Sequence, residues 1–135
     1  MRWKLIIQLS LLGLAMGLAT VFWIPSSLEP ILWIVIFLLC AFVIGRSGAR
    51  RPFLTGLLLG LANSVWITAC HVLLFDRYLA NHAREAAMMH SMPLPGRLMM
   101  TVTGPVVGLI SGVVIGALAL IATKVLTGRR QLAGS

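Results

Sequence analysis

The chain has 135 residues, the length of one domain, and is 59% hydrophobic with only 10% charged residues. Soluble domains carry roughly 25% charged residues, so a water-soluble globule of this length would have too little polar surface to cover its apolar residues. The net charge of +8 does not point to nucleic acid, because the basic residues flank apolar segments and cover no polar face.

The composition predicts an all-α integral membrane protein, a bundle of four transmembrane helices forming one membrane domain over residues 1–135. The lipid bilayer is its first partner. The start, Met1-Arg2-Trp3-Lys4, has the pattern of a signal peptide. A signal's apolar core runs for about 7–15 residues. Here the run from Leu5 to Ile24 is 20 residues, which predicts a retained span over about 3–24. A turn at 25–30 follows, with Pro30 placed to open the next helix. The second span is expected at about 31–45, short of the ~20 residues that cross the ~30 Å hydrocarbon layer. After a basic turn containing Arg46, Arg50 and Arg51, the third is expected at about 53–75 and the fourth at about 98–123.

Charge sets the expected orientation. With both termini in the cytoplasm, the inner side holds Arg2, Lys4, Arg46, Arg50, Arg51, Lys124, Arg129 and Arg130. The outer side holds Arg77, Arg84 and Arg97, together with the acidic residues Glu29, Asp76 and Glu85. Eight basic residues against three is the bias that the positive-inside rule describes. Trp3, Trp23 and Trp33 fall near span ends, where indoles anchor.

The most specific pattern is glycine spacing. Gly104, Gly108, Gly112 and Gly116 recur every four residues and line one slowly drifting helix face. Gly13 and Gly17 repeat the spacing in the first span, with Ser10 and Thr20 nearby, and Gly56 and Gly60 repeat it in the third. Between membrane helices, burial of apolar surface drives no association, whereas close backbone approach across small residues does. The fourth-span face therefore predicts a tight helix contact, within the chain or with a second copy. Pro105 either opens that helix or kinks it.

No Asp, Glu, Lys or Arg lies deep in a predicted span. The polarity sits on the third, at Asn63, Ser64, Thr68, Cys70 and His71. Ser64, Thr68 and His71 share a face with Gly60, and Asn63 points aside toward Trp66 and Cys70. That face is expected to turn into the bundle, for interhelical hydrogen bonding or to line a solute path. Cys40 and Cys70 lie at different depths and are expected to stay as free thiols.

The segment between the third and fourth spans favours helix up to Pro93. Continued from the third span, it would put His71, Tyr78, His82, Glu85 and Met89 on one face. A bend near Asp76 or Asn81 would instead lay an amphipathic helix along the outer surface. His82 and Glu85 are spaced to share one metal, with His90 a further ligand. Met88, Met89 and Met92 are soft donors suited to copper. Packing on the bilayer is the simpler account of the same residues, and no cofactor is expected. A haem would need a second histidine inside a span, and His71 is alone there. No nucleophile triad, phosphate loop, CxxC or HExxH is present, and no enzyme is expected.

The Met1-Arg2-Trp3-Lys4 start, the Phe53-Leu54-Thr55-Gly56 opening of the third span and the Phe75-Asp76-Arg77-Tyr78 exit resemble small four-helix bacterial inner-membrane proteins of unknown function. That resemblance implies the same fold and an inner-membrane location, and it carries over no catalytic residue. The double cysteine of thiol-oxidising four-helix enzymes is missing, as is the mid-membrane glutamate of small multidrug exporters. Three roles follow as expectations. The first is a non-enzymatic accessory or self-assembling bundle held by its glycine faces, as a homo-oligomer or in a larger membrane complex. The second is a small-solute channel or transporter, and the third is an outer-face metal-binding protein.

Overall fold

The computed structural model describes residues 2–133, and side chains of residues 2–128. The side chains of Arg129 and Arg130, counted in the charge balance, lie outside the described residues. Among the described residues every regular element is a helix: α1 (Trp3–Phe22), α2 (Glu29–Arg46), α3 (Pro52–Leu73), α4 (Phe75–Asn81), α5 (Ala83–His90) and α6 (Gly96–Ala133). Four of these, α1, α2, α3 and α6, are long and apolar enough to cross a membrane.

The boundaries follow local chemistry. α1 stops at Phe22 because Trp23 leaves helical geometry, and Ile24 is pushed away from it by Pro25. α2 starts at Glu29, two residues before the expected start. Pro30 falls in its first turn, where a missing N–H costs nothing. α3 ends at Leu73, since Leu74 breaks the helix. The outer segment does not continue α3 as one rod. It breaks at Leu74 and again at His82, giving α4 and α5. α6 runs well past the expected end and keeps Pro105 in its interior. The proline ring lies on the exposed side of α6, away from the glycine face. Its missing N–H leaves only the Thr101 carbonyl without a helical donor.

α3 and α6 run antiparallel at the centre, in backbone contact. A Cβ built on Gly60 would strike the backbone of Gly112, and one on Gly56 would strike that of Gly116. Gly108 faces Ser64, Gly104 faces Thr68, and Gly112 packs on Leu57. The four fourth-span glycines are thus taken up by α3 of the same chain. α1 lies parallel to α3 on its other side, with Gly13 against Asn63 and Gly17 against Ile67 and Cys70. α2 lies parallel to α6, and its closest approach is Gly45 on Ala122.

Each interior helical glycine costs about 1 kcal/mol relative to alanine. That cost is outweighed where it admits a whole backbone: many dispersion contacts at about 0.1–0.2 kcal/mol each, and Cα–H···O contacts at perhaps 0.5–1 kcal/mol each. Beside this contact, one core cluster gathers Cys40, Ala41, Ile44, Leu59, Ile115 and Ala119. A second gathers Val21, Cys70, Tyr78 and Met100. The two cysteines are free, buried and in separate clusters.

The register makes a direct prediction. Gly60→Val or Gly112→Val forces backbone against side chain, and should destabilise the fold by at least the upper end of the ~1–3 kcal/mol typical of overpacking. Gly128→Ala meets open space and should stabilise slightly, by up to about 1 kcal/mol. Thermal melts of the three variants in one detergent check this.

Candidate ligand cavity

The polar face of α3 opens on a cavity of about 290 Å³ bounded by α2, α3 and α6. Asn63, Ser64, Thr68 and His71 all line it. α2 contributes Glu29, Trp33 and Phe37; α4 and α5 contribute Tyr78 and Met89. On α6 the lining extends from Met100 to Ser111, a length of about 16 Å at 1.5 Å per residue.

The cavity exists because α2 carries no small residue facing the bundle there. At its other end Gly45 lets α2 close on α6. Trp33 and Phe37, one turn apart with ring centroids 5.7 Å from each other, hold the rest of it away. Beyond Ser111 the space is sealed by Ile44, Leu59 and Ile115, each 0% exposed. Past that seal, a second cavity of about 450 Å³ is lined by Arg2, Arg50, Arg51 and Thr55.

His71 is held from both sides. Its Nε2 lies 2.9 Å from Thr20 Oγ1, and the Thr20 hydroxyl donates to the Gly17 carbonyl at 3.0 Å. The shared proton therefore belongs to Nε2, and in the neutral ring Nδ1 keeps the lone pair. The ring packs on Tyr78 at 4.2 Å, and Tyr78 stacks on His82 at 4.1 Å and 14°. This three-ring stack ties α3, α4 and the start of α5 together. Nδ1–H of His82 donates to the Tyr78 carbonyl at 2.9 Å. Its Nε2 is buried with no partner, in a side chain only 1% exposed. Asn81 Nδ2 donates to the Val21 carbonyl and Ser26 Oγ donates to Glu85 Oε2 at 3.0 Å, so α4 and α5 are pinned to the α1 end and to the turn after it.

Asn63 differs from its neighbours. Its carboxamide packs against Gly13, in keeping with its offset from Ser64, and is 3% exposed. Neither Oδ1 nor Nδ2 has a hydrogen-bond partner. The hydroxyls of Ser64 and Thr103 spend their protons on their own helix, donating to Leu61 O and Met99 O at 2.8 Å each. They present lone pairs outward. Trp66, on the α1 side, donates its indole N–H to Ser10 Oγ at 3.2 Å.

His82, Glu85 and His90 do not converge on one point. His82 is buried in the stack, Glu85 bonds Ser26, and His90, Met88 and Met92 are exposed. Among the described residues no group of three or more His, Cys, Asp or Glu side chains converges. Met89 alone of that set lines the cavity. Sequence reasoning missed Glu29, Trp33, Phe37 and Tyr78 as cavity residues. The signal was available for the first three: positions 29, 33 and 37 are four apart and share one helix face.

Two outcomes follow. Burial, then the charges of Glu29 and Glu85, raise the Tyr78 phenol above its ordinary range. A raised tyrosine favours the neutral form, so its stabilisation is complete below about pH 10, the unfolded value, and is lost as pH climbs through the folded value. Tyr78 is the sole tyrosine. Its ultraviolet tyrosinate band should therefore be missing from the folded protein at a pH where the unfolded chain is half ionised. Separately, Asn63→Leu removes two unpaired polar atoms while keeping the number and branching of the side-chain heavy atoms. It should leave the melting temperature unchanged or raise it, whereas a structural hydrogen bond at Asn63 would cost about 0.5–1.5 kcal/mol on removal.

Comparison with known proteins finds no family model that matches the chain, and no curated protein or solved structure that does.

Proposed function

We propose that the chain is an integral protein of the bacterial inner membrane, with both termini cytoplasmic, that binds a small solute in the cavity between α2, α3 and α6. The role is non-enzymatic, and of carrier type. The observation that carries it is the convergence of Asn63, Ser64, Thr68 and His71 on one cavity. Ser64 and Thr68 lie at the edge of the α3–α6 contact, against Gly108 and Gly104, and open on the cavity beside it.

Insertion is supported by the outward side chains. Ile31, Ile34 and Val35 on α2 and Val106, Ile110 and Ile121 on α6 are exposed, which suits lipid and costs heavily in water. The charge asymmetry of the two ends supports the orientation. The packing of Ile44, Leu59 and Ile115, each fully buried, between the two cavities favours a carrier over an open channel. The glycine faces lend no support to self-assembly, because α1, α3 and α6 occupy them within one chain.

A panel of neutral, cationic and anionic small solutes tests the reading by thermal shift in detergent. At least one should stabilise the protein, by about 2.7 kcal/mol when present at ~100 times its Kd. Ser111→Leu, which fills the sealed end of the cavity, should abolish the shift. A panel without any stabilising solute, or a shift that survives Ser111→Leu, would sink the proposal.

A further inference from the structure

We infer that the solute is a small organic cation, an ammonium ion bearing an apolar or aromatic group, with Glu29 as its counter-ion and Trp33 and Phe37 as its walls. The inference rests on the cavity reading and adds a ligand class to it.

Charge is the first argument. The chain carries 11 Lys and Arg against three Asp and Glu, yet the cavity lining has one carboxylate, Glu29, and no Lys or Arg. Among the described residues the one ion pair joins Arg97 to Asp76, both exposed. Glu29 is half-buried and, among the described residues, has no cation within salt-bridge distance. Its polar neighbour is Trp33, whose indole N–H donates to Glu29 Oε1 at 3.4 Å. Among the described residues Oε2 of Glu29 makes no hydrogen bond and is left to accept from a ligand.

The walls are the second argument. A cation over an aromatic face within about 6 Å gains roughly 0.5–2 kcal/mol, most when desolvated. Trp33 and Phe37 stand one turn apart on α2 and supply the ring faces; Tyr78 borders the same space from α4 but is stacked between His71 and His82 and offers no free face. Met89 and Met100 add polarisable sulfur. The third argument is hydrogen-bond polarity. Glu29 is an acceptor, and the hydroxyls of Ser64 and Thr103 present lone pairs because their protons are bonded within the helix. These acceptors suit a ligand that donates N–H bonds. At about 290 Å³ the space lies at the lower end of the ~300–1,000 Å³ of ligand pockets, the size of a small amine.

Three probes of one shape decide it: 2-phenylethylammonium, 2-phenylethanol and phenylacetate, titrated calorimetrically at neutral pH into the purified full chain, with empty micelles as the blank. The ammonium ion should bind about tenfold or more tighter than the alcohol, a gap of about 1.4 kcal/mol, and phenylacetate weakest of all. Glu29→Gln should bring the amine down to the alcohol's affinity. If the alcohol matches the amine, or Glu29→Gln leaves amine binding unchanged, the cation assignment is overturned. The cavity reading then still stands, provided Ser111→Leu abolishes binding of both. If none of the three binds while another solute of the panel does, the ligand class is likewise overturned and the cavity is kept. Should Glu29→Gln fail to fold, the three probes on the unaltered chain remain decisive.

Discussion

Backbone contact between α3 and α6 is the constraint on which the rest of the structure depends. These helices are apolar on nearly every side, so burial of apolar surface does not tell one face from another. Only a face without side chains lets two backbones meet. Gly56 and Gly60 on one helix and Gly108, Gly112 and Gly116 on the other make that face. Once the two are docked antiparallel, α1 closes on α3 through its own Gly13 and Gly17, against Asn63, Ile67 and Cys70, and α2 closes on α6 through Gly45. The arrangement of four long helices follows from where glycines occur and where they do not.

The cavity is the complement of that rule. Where α2 has Trp33 and Phe37 in place of a small residue, the bundle stays open, and the polar residues of α3 border the gap beside their contacts with α1 and α6. α4 and α5 then fold over that end through the His71, Tyr78 and His82 stack. A packing device and a ligand space are thus built from the same helix: α3 presents glycine toward α6, and its polar residues lie a turn further along. The unpaired amide of Asn63 is a cost that a purely structural bundle would have no reason to carry.

Much of this was legible in the chain. Four apolar segments marked the four long helices, and the four-residue glycine spacing marked the faces that meet. The choice between contact within the chain and contact with a second copy was not legible, because a glycine face is complementary to any other. Helix ends were displaced by a few residues wherever a proline or a non-helical residue acts locally, as at Pro30 and Leu74. The continued helix through residues 76–92 failed for the same reason: helix propensity is high there, but Leu74 and His82 turn the chain so that Tyr78 can stack. Glu29 and Trp33 were read as a loop charge and an interface anchor. Only the distance between α2 and α6, a tertiary property, makes them walls of a cavity.

Close contact of α3 with α6 inside one chain is the claim on which everything else rests. Proton cross-relaxation between the Gly60 and Gly112 Hα atoms, and between those of Gly56 and Gly116, measures it directly in detergent-solubilised protein. An isotope-filtered sample of mixed labelled and unlabelled chains separates contacts within a chain from contacts between chains. The account predicts both cross-peaks, arising within one chain. Cross-peaks seen only between chains, or none between these glycines, would contradict it.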